Sequence, residues 1–379
     1  MKTVLYFKRG YFETCQVKLQ GAVRYATGAK WQLQVIEDAA AAPSKRRLLS
    51  FWKPDGCIVD CAGDGTVFRP RDFRGVPTVF IDCPRGVLTD DVDSVTHDST
   101  ATAELVAREL IGLGRPHYAF VTANIRREWS DVRLRTFRKV LALHGKRCHV
   151  FDCEAADVHD PAYQEKLQRW LRDLPHPLAV FAADDSIARA TVTAAALAGL
   201  SVPDDVATVS IDNDKLIALS SDPTLTSVQI DFEHAGFLAA SVLAQRLGDS
   251  SRPPARVTFG PLHLFRRASS VSGVRRDSQT EAAREFIRRE VATGISAGDV
   301  AALYSCSRRM ADSRFRAATG HSILEEILAE RMNLVQMLLL RPEITLDRVA
   351  ELSGWKSTSG LRQFFRTKTG LSLSAWRRK

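Results

Sequence analysis

Phe315-Arg-Ala-Ala-Thr-Gly-His-Ser322 is restated fifty residues later as Phe365-Arg-Thr-Lys-Thr-Gly-Leu-Ser372, so the last hundred or so residues carry one structural unit twice. Ahead of each copy lies a short amphipathic stretch ending in a turn: Asp299-Val-Ala-Ala-Leu303 before Ser307, and Leu346-Asp-Arg-Val-Ala-Glu-Leu352 before Gly354 and Ser357. Each half therefore reads as a helix, a turn and a second helix. Ala301 and Ala350 are small where two helices must cross closely, and Phe315 and Phe365 are apolar anchors near the end of each second helix. The segment Ile323 to Leu340 is expected to be the helix joining the two motifs, with Leu324, Ile327, Leu328, Val335, Leu338 and Leu339 facing a core.

Charge separates this region from the rest. Of the formal +9 of the 379-residue chain, positions 281–379 hold 17 Lys+Arg against 11 Asp+Glu, leaving 36 against 33 for the first 280 residues. A basic terminal domain beside a nearly neutral one points to a polyanion met by the small domain alone. The length fits two or three domains, and 45% apolar residues can bury sizeable cores. Seven Cys (15, 57, 61, 83, 148, 153, 306) form no CxxC pair, so neither a zinc cage nor a disulfide framework is suggested, and no cofactor or metal is expected. Met1-Lys-Thr-Val-Leu-Tyr-Phe-Lys-Arg9 is too short an apolar run for a signal peptide, and no later stretch approaches about 18 apolar residues. A cytoplasmic chain that spans no membrane is expected.

The first 270 residues alternate strand and helix patterns. Val4–Phe7, Gln32–Glu37, Gly56-Cys-Ile-Val-Asp60, Pro77-Thr-Val-Phe-Ile-Asp82, Tyr118–Val121, Leu178–Ala182 and Val206–Ile211 read as strands. Glu13–Thr27, Thr100–Leu113, Val132–Leu143, Ser186–Ala198 and Phe232–Leu247 read as helices. This rhythm predicts parallel sheets with helices on both faces and a ligand at the carboxyl ends of the strands. Asp60, Asp82, Asp184, Asp185, Asp212 and Asn213 fall at those ends, where carboxylates and amides accept hydrogen bonds from hydroxyls. For Asp184 and Asp185 a helix cap is an equal reading. Trp129 and Arg133, four residues apart, share a helix face. An indole can stack on a sugar ring and a guanidinium can bridge two hydroxyls; a buried Trp beside an exposed Arg is the alternative.

Asp98 before a helix, Gly112-Leu-Gly114, Ser130-Asp-Val-Arg133 with Phe137, Asp185-Ser-Ile-Ala188, Gly199-Leu-Ser-Val-Pro-Asp-Asp-Val206, Ile211-Asp-Asn213 and Pro223-Thr-Leu-Thr-Ser227 resemble the ligand-binding core of LacI-type regulators. The resemblance implies a type I periplasmic-binding-protein fold over residues 1–270, two lobes joined by three crossovers that close on a small sugar. Carried over by position, it makes Arg133, Asp185 and Asp212 hydroxyl-binding residues; Trp129 matches the family less generally, and Asn213 and Asp60 join the candidate ligand set from their places at strand ends. Ala350, Gly354-Trp355, Phe365-Arg366, Gly370 and Trp376-Arg377 resemble the two-motif DNA-binding domain of the AraC family, here at 281–379 after a linker at 271–280. Leu373 stands where that family usually has Pro, and Ser305 and Ala311 replace a turn Gly and a core Leu. The first motif is therefore expected to pack more loosely, with Met310 filling space beside Ala311.

A LacI-type core followed by an AraC-type domain is the architecture of xylose-operon activators. It implies a cytoplasmic, sugar-responsive transcription regulator, dimeric, taking a pentose such as D-xylose and acting with RNA polymerase on double-stranded DNA. The family pattern makes Arg309, Asp312 and Ser313 base-facing in the first recognition helix, and Ser359, Gly360 and Gln363 in the second. Arg308, Arg314, Arg316, Lys356, Arg362 and Arg366 are phosphate contacts or solvated charges, and the first motif is expected to supply more specificity. Two other readings stand beside this one. One is an amidotransferase-like enzyme with Cys61 of Cys61-Ala-Gly-Asp-Gly65 as nucleophile, for which neither His97 nor His117 sits in a partnering motif. The other is a large domain that serves only oligomerisation.

Overall fold

The structure is a computed structural model that describes residues 1–8, 13–37, 45–61, 68–125, 127–155, 157–271, 278–319, 321–339, 344–369 and 372–377. Most of the expected linker, 272–277, lies outside the described residues, as do 62–65 of the Cys61 motif and Gly320 and Gly370 of the repeat. The chain forms two compact units, Met1–Ser270 and Val271–Lys379.

The first unit runs β1 (Thr3–Phe7), α1 (Glu13–Gly28), β2 (Gln32–Ile36), α2 (Lys45–Trp52), β3 (Gly56–Asp60), β4 (Thr78–Ile81), β5 (Asp93–His97), α3 (Ser99–Gly112), β6 (His117–Val121), α4 (Glu128–Leu143), β7 (Cys148–Phe151), α5 (Pro161–Asp173), β8 (Leu178–Ala182), α6 (Asp185–Leu197), β9 (Val206–Asp212), α7 (Lys215–Ser220), β10 (Thr226–Ile230), α8 (Phe232–Gly248), β11 (Arg256–Phe259) and β12 (Pro261–Phe265). These strands form two sheets, ordered β11-β5-β4-β3-β1-β2 and β12-β10-β9-β8-β6-β7. Every pairing is parallel except β10 with β12. The chain passes between sheets after β5, after β10 and after β11, giving two α/β lobes joined by three crossovers.

The central strands are built as a doubly covered parallel sheet requires. All five residues of β3 and of β8 are buried. Aspartates start the helices: Asp98, Asp160, Asp184, Asp214 and Asp231 each accept a bond from a backbone amide of the first turn of α3, α5, α6, α7 and α8. Asp184 is thus the cap of α6, and Asp185 is not. On the first lobe α1 and α8 cross with glycine against backbone: a Cβ on Gly21 would lie 1.8 Å from the Glu233 carbonyl oxygen, and one on Gly236 1.7 Å from that of Lys18. Only glycine permits this approach.

The second unit is helical: α9 (Ser278–Glu290), α10 (Ala297–Ala301), α11 (Arg308–Thr319), α12 (Ile323–Leu339), α13 (Leu346–Leu352), α14 (Thr358–Thr369) and α15 (Leu373–Arg377). Each copy of the repeat has its own core. Val300, Ala301, Tyr304, Ala311, Phe315, Ile323 and Ile327 pack with Ala283 and Ile287 of α9; Val335, Leu338, Leu339, Val349, Ala350, Leu361, Phe365 and Leu373 form the other. The connecting helix α12 serves both. Leu324, expected in a core, is 52% exposed, and Met310, expected beside Ala311, is 55% exposed. Leu324 follows the buried Ile323 by one position and so falls about 100° round the helix from it. The fully buried Ala311 shares its cluster with Tyr304, whose ring supplies bulk there and whose hydroxyl meets Thr280 Oγ1 at 2.8 Å. Gly354 turns α13 into α14 at φ +73°, and a Cβ there would meet the Val291 carbonyl at 2.3 Å. Ser305 is not among the residues with positive φ, so the first turn is made without a glycine conformation.

Candidate functional site

The carboxyl ends of β3, β4 and β5 in the first lobe face those of β8 and β9 in the second through charged side chains. Lys18 of α1 is fully buried, its Nζ 3.1 Å from Asp60 Oδ1 and 2.7 Å from Asp82 Oδ2. Burial opposes its charge, but the two carboxylates outweigh it and raise its pKa above the ordinary lysine value. Burial likewise opposes the charge on Asp82, and Lys18, helped by the His97 backbone amide, reverses that to hold its carboxyl below the usual range. Asp82 Oδ1 also accepts from the His97 amide at 2.9 Å. His97, at the end of β5, is pushed down to about 3 by burial and then by Arg133, so its ring is neutral at pH 7. Its Nδ1 faces Arg133 Nη2 at 3.4 Å and its Nε2 faces Thr102 Oγ1 at 2.9 Å, which donates in turn to the Asp98 carbonyl. Those partners assign the proton to Nε2.

Arg133 is the second lobe's side of this contact. The guanidinium is only 4% exposed, donates from Nη1 to the Ala183 carbonyl at 2.5 Å, and lies 4.4 Å from the centre of the Trp129 ring. Its Nε is buried with no hydrogen-bond partner among the described residues. Burial lowers its pKa, and Asp212, Asp184, Asp82 and Asp185 act against that. The expected Trp129–Arg133 pair therefore exists, but one indole face is occupied by the guanidinium.

Asp212 ends β9 at φ 108°, and Asn213 follows at φ 51°. Two successive non-glycine residues in the left-handed region mark strain of the kind that gathers at binding sites. The half-buried Asp212 carboxylate is pushed up to about 6, by burial first, with Arg133 opposing and Asp184 adding. Among the described residues it has no hydrogen-bond partner. Arg133 and Asp212 are thus a donor and an acceptor with capacity left for a ligand.

The other expected ligand residues spend their bonds inside the protein. Asp185 accepts from Ser210 Oγ at 2.5 Å, Ser227 Oγ at 2.6 Å and the Asp214 amide at 2.7 Å, while burial and then Asp212 push it up to about 8. Asn213 donates its amide to Ser227 Oγ and accepts from Arg267 Nη2 at 2.7 Å. Asp60 is wholly buried behind Lys18. Lys18 and Arg267 were not singled out from the sequence, and His97 was named there only as a possible partner for Cys61. For Lys18 a signal existed: it shares the buried helix face of Cys15, Ala22 and Ala26, where an unpartnered lysine has no place. Cys61 is buried, and the Cys83 hydrogen bond together with burial holds its thiol far above the usual range, the opposite of an activated nucleophile.

On the second unit, Arg308, Arg309, Ser313 and Arg316 of α11 are exposed. Asp312, half-buried, accepts at Oδ1 from the Ile323 amide at 3.0 Å, at the start of α12. Arg316 approaches Asp312 at 3.9 Å and Glu325 at 3.7 Å. On α14, Ser359, Arg362, Gln363, Arg366 and Thr367 line one concave solvent-facing surface. Lys356 is exposed just ahead of it. Gly360 is half-buried, its amide bonded to Ser357 Oγ at 3.2 Å.

Comparison with known proteins bears on both units of the chain. A periplasmic binding protein-like domain matches residues 107–270, and a helix-turn-helix domain matches 300–379. The xylose operon regulatory protein of Escherichia coli (strain K12) is 24% identical over 360 residues, 94% of this chain and 91% of that protein. The protein of that name from Haemophilus influenzae is 24% identical over 288 residues, 75% of this chain and 74% of its own length. The solved structure of a xylose-binding transcription activator superimposes with a TM-score of 0.60 at 20% identity, covering 100% of this chain and 98% of that one. These relatives are transcription regulators, not enzymes. No helix among the described residues is long and apolar enough to cross a membrane. The chain is a DNA-binding transcription regulator in which a periplasmic binding protein-like domain precedes a helix-turn-helix domain, and it is similar along nearly its whole length to xylose operon regulatory proteins.

Proposed function

We propose that this regulator senses a pentose, D-xylose in the first instance, held between the two lobes by Arg133, Asp212 and Trp129. The observation that carries the reading is Arg133. A guanidinium buried to 4% exposure and holding Nε unpaired is costly unless a ligand oxygen completes it. A sugar has the matching groups: hydroxyls that accept from Arg133 and donate to Asp212, and an apolar ring face for the indole. Asp185 and Asn213 shape the site from behind, and Lys18 with Asp60 fixes the first lobe's wall.

Arg309, Ser313, Ser359 and Gln363 are the base readers in this account, Arg309 toward guanine and Gln363 toward adenine. Arg308, Arg316, Lys356, Arg362 and Arg366 hold phosphates, and Asp312 positions α12 between the readers. The protein works in the cytoplasm as a homodimer, its sugar-bound form recruiting RNA polymerase. Relatives named for the xylose operon support the choice of sugar. Calorimetric titration with D-xylose, L-arabinose, D-ribose and D-glucose tests it: saturable one-to-one binding of D-xylose is expected, and absence of heat with all four refutes the sugar reading.

A further inference from the structure

The chain leaves the first unit at Ser270, and its last residues are bonded back into the second lobe at Thr208 of β9 and at Thr226, the first residue of β10. Ser269 is fully buried; its Oγ donates to the Thr208 carbonyl at 2.6 Å and accepts from the Thr226 amide at 2.8 Å. Ser270 Oγ meets Thr226 Oγ1 at 2.8 Å, and that same Oγ1 accepts from the Arg267 amide at 2.7 Å. Arg267 is 6% exposed and reaches in two directions, from Nη1 to the Leu225 carbonyl at 2.6 Å and from Nη2 to Asn213 Oδ1 at 2.7 Å. Asn213 is the neighbour of Asp212, and its amide donates to the Ser227 hydroxyl that holds Asp185. An unbroken run of hydrogen bonds therefore joins the strained Asp212–Asn213 corner to the residue at which the chain departs for the second unit.

We propose that Arg267 is a positioning residue that couples sugar occupancy at Asp212 to the exit segment Arg267–Ser270. This rests on the sugar reading of the cleft. A ligand that draws on Asp212 acts on the Asp212–Asn213 peptide, and Asn213 Oδ1 moves with it. Arg267 bonds that oxygen with one nitrogen and the β10 approach with another, so a shift at the corner is passed to the backbone on either side of Arg267. Packing alone has no need of a charge here, since a buried guanidinium is expensive to desolvate. The ligand can bias the exit segment only by as much as it distinguishes the two arrangements of this corner.

The test uses the full-length chain and a DNA duplex selected in vitro with it, and measures DNA affinity with and without D-xylose. In the wild type the sugar is expected to change DNA affinity by about 5- to 150-fold. Arg267→Gln is expected to reduce that factor below about twofold while D-xylose affinity, read by calorimetry, stays within about threefold. Arg267→Lys, which keeps a cation able to reach one partner, recovers part of the factor. Arg115→Gln is the control: Arg115 also clasps two carbonyls of the second lobe, those of Asp204 and Pro203 at 2.7 and 3.0 Å, but lies off this path. It keeps the full response. Arg267→Gln showing the wild-type factor overturns the proposal. A wild type that binds no pentose removes the sugar reading instead, and the sugar-free arm then decides the relay. Arg267→Gln shifting sugar-free DNA affinity by about threefold or more, with Arg115→Gln unchanged, supports it; equal affinities for all three chains overturn it.

Discussion

Gly236→Ala tests how closely the first lobe is built. An ordinary contact begins near 3.4 Å, and the new Cβ would sit 1.7 Å from the Lys18 carbonyl oxygen and 3.0 Å from the Ala22 amide nitrogen. Both obstacles are backbone, so no rotamer change relieves them and α1 must part from α8 by about 1.7 Å, the difference between the two distances. Overpacking of this kind costs about 3 kcal/mol. For a unit of 270 residues, at ~2.1 cal/mol/K of unfolding entropy per residue, that lowers Tm by about 5 °C. The same displacement carries Lys18, whose Nζ holds Asp60 and Asp82 at 3.1 and 2.7 Å, so sugar affinity falls with stability. Thermal unfolding by circular dichroism and calorimetric titration read the two effects. Gly112→Ala, with nothing within 4 Å of its new Cβ, is the matched control and is expected to leave Tm unchanged or slightly higher. A Gly236→Ala protein melting within about 1 °C of wild type would show that the crossing is not close-packed and refute the reasoning.

Arg133→Lys loses the planar fork that joins Ala183, His97 and the ligand, and is expected to weaken pentose binding by about 1.5–3 kcal/mol, at least tenfold; unchanged calorimetric affinity removes Arg133 from the site. The Asp212 carboxyl, raised to about 6 by burial and then by Asp184 and Asp214 against Arg133 and Lys18, gives two pH signatures. Sugar affinity falls as pH drops below about 6, by at most about tenfold per pH unit for a single proton, and a flat profile from pH 5 to 8 excludes an ionised Asp212 as acceptor. Because the folded value is raised, the sugar-free protein loses stability as pH climbs from the ordinary 3.8 toward 6, a slope that Asp212→Asn flattens in thermal melts. Arg309→Ala is expected to cost DNA binding about 1–3 kcal/mol and relax one base pair. Asp312→Ala, by contrast, costs about 0.5–2 kcal/mol of folding stability through the start of α12 and leaves base preference intact; a changed preference in the Asp312 variant assigns it to the DNA surface.

Strands buried on both faces were legible as continuous apolar runs, which is why β3 and β8 match their sequence expectation residue for residue. β5 was not, because Asp93-Ser-Val-Thr-His97 reads as polar loop. Its buried Asp93 is tolerated only through Arg246 and Arg252, more than 150 positions away, and the Ala255 amide. The return of β11 to the first sheet is equally non-local. The Trp129–Arg133 pair could be read from helical spacing, and Gly354 from its family position, which the Val291 carbonyl now explains. The partners of Asp185, Asn213 and Asp60 could not, since a strand-end carboxylate or amide looks the same in sequence whether it meets a ligand or a buried serine, arginine or lysine. The same limit hid the task of Asp312: its helix position is that of a base reader, and only the fold brings the Ile323 amide to it.

The central claim is that sugar in the cleft alters DNA binding by the helix-turn-helix pair. The most direct measurement is fluorescence anisotropy of a labelled duplex, selected with the full-length chain, titrated with protein in the absence and presence of saturating D-xylose. A shift in apparent Kd of about fivefold or more, needing at least about tenfold more D-xylose in Arg133→Lys and absent on random DNA, is the expected result. Superimposable curves with and without D-xylose, L-arabinose, D-ribose or D-glucose contradict the account.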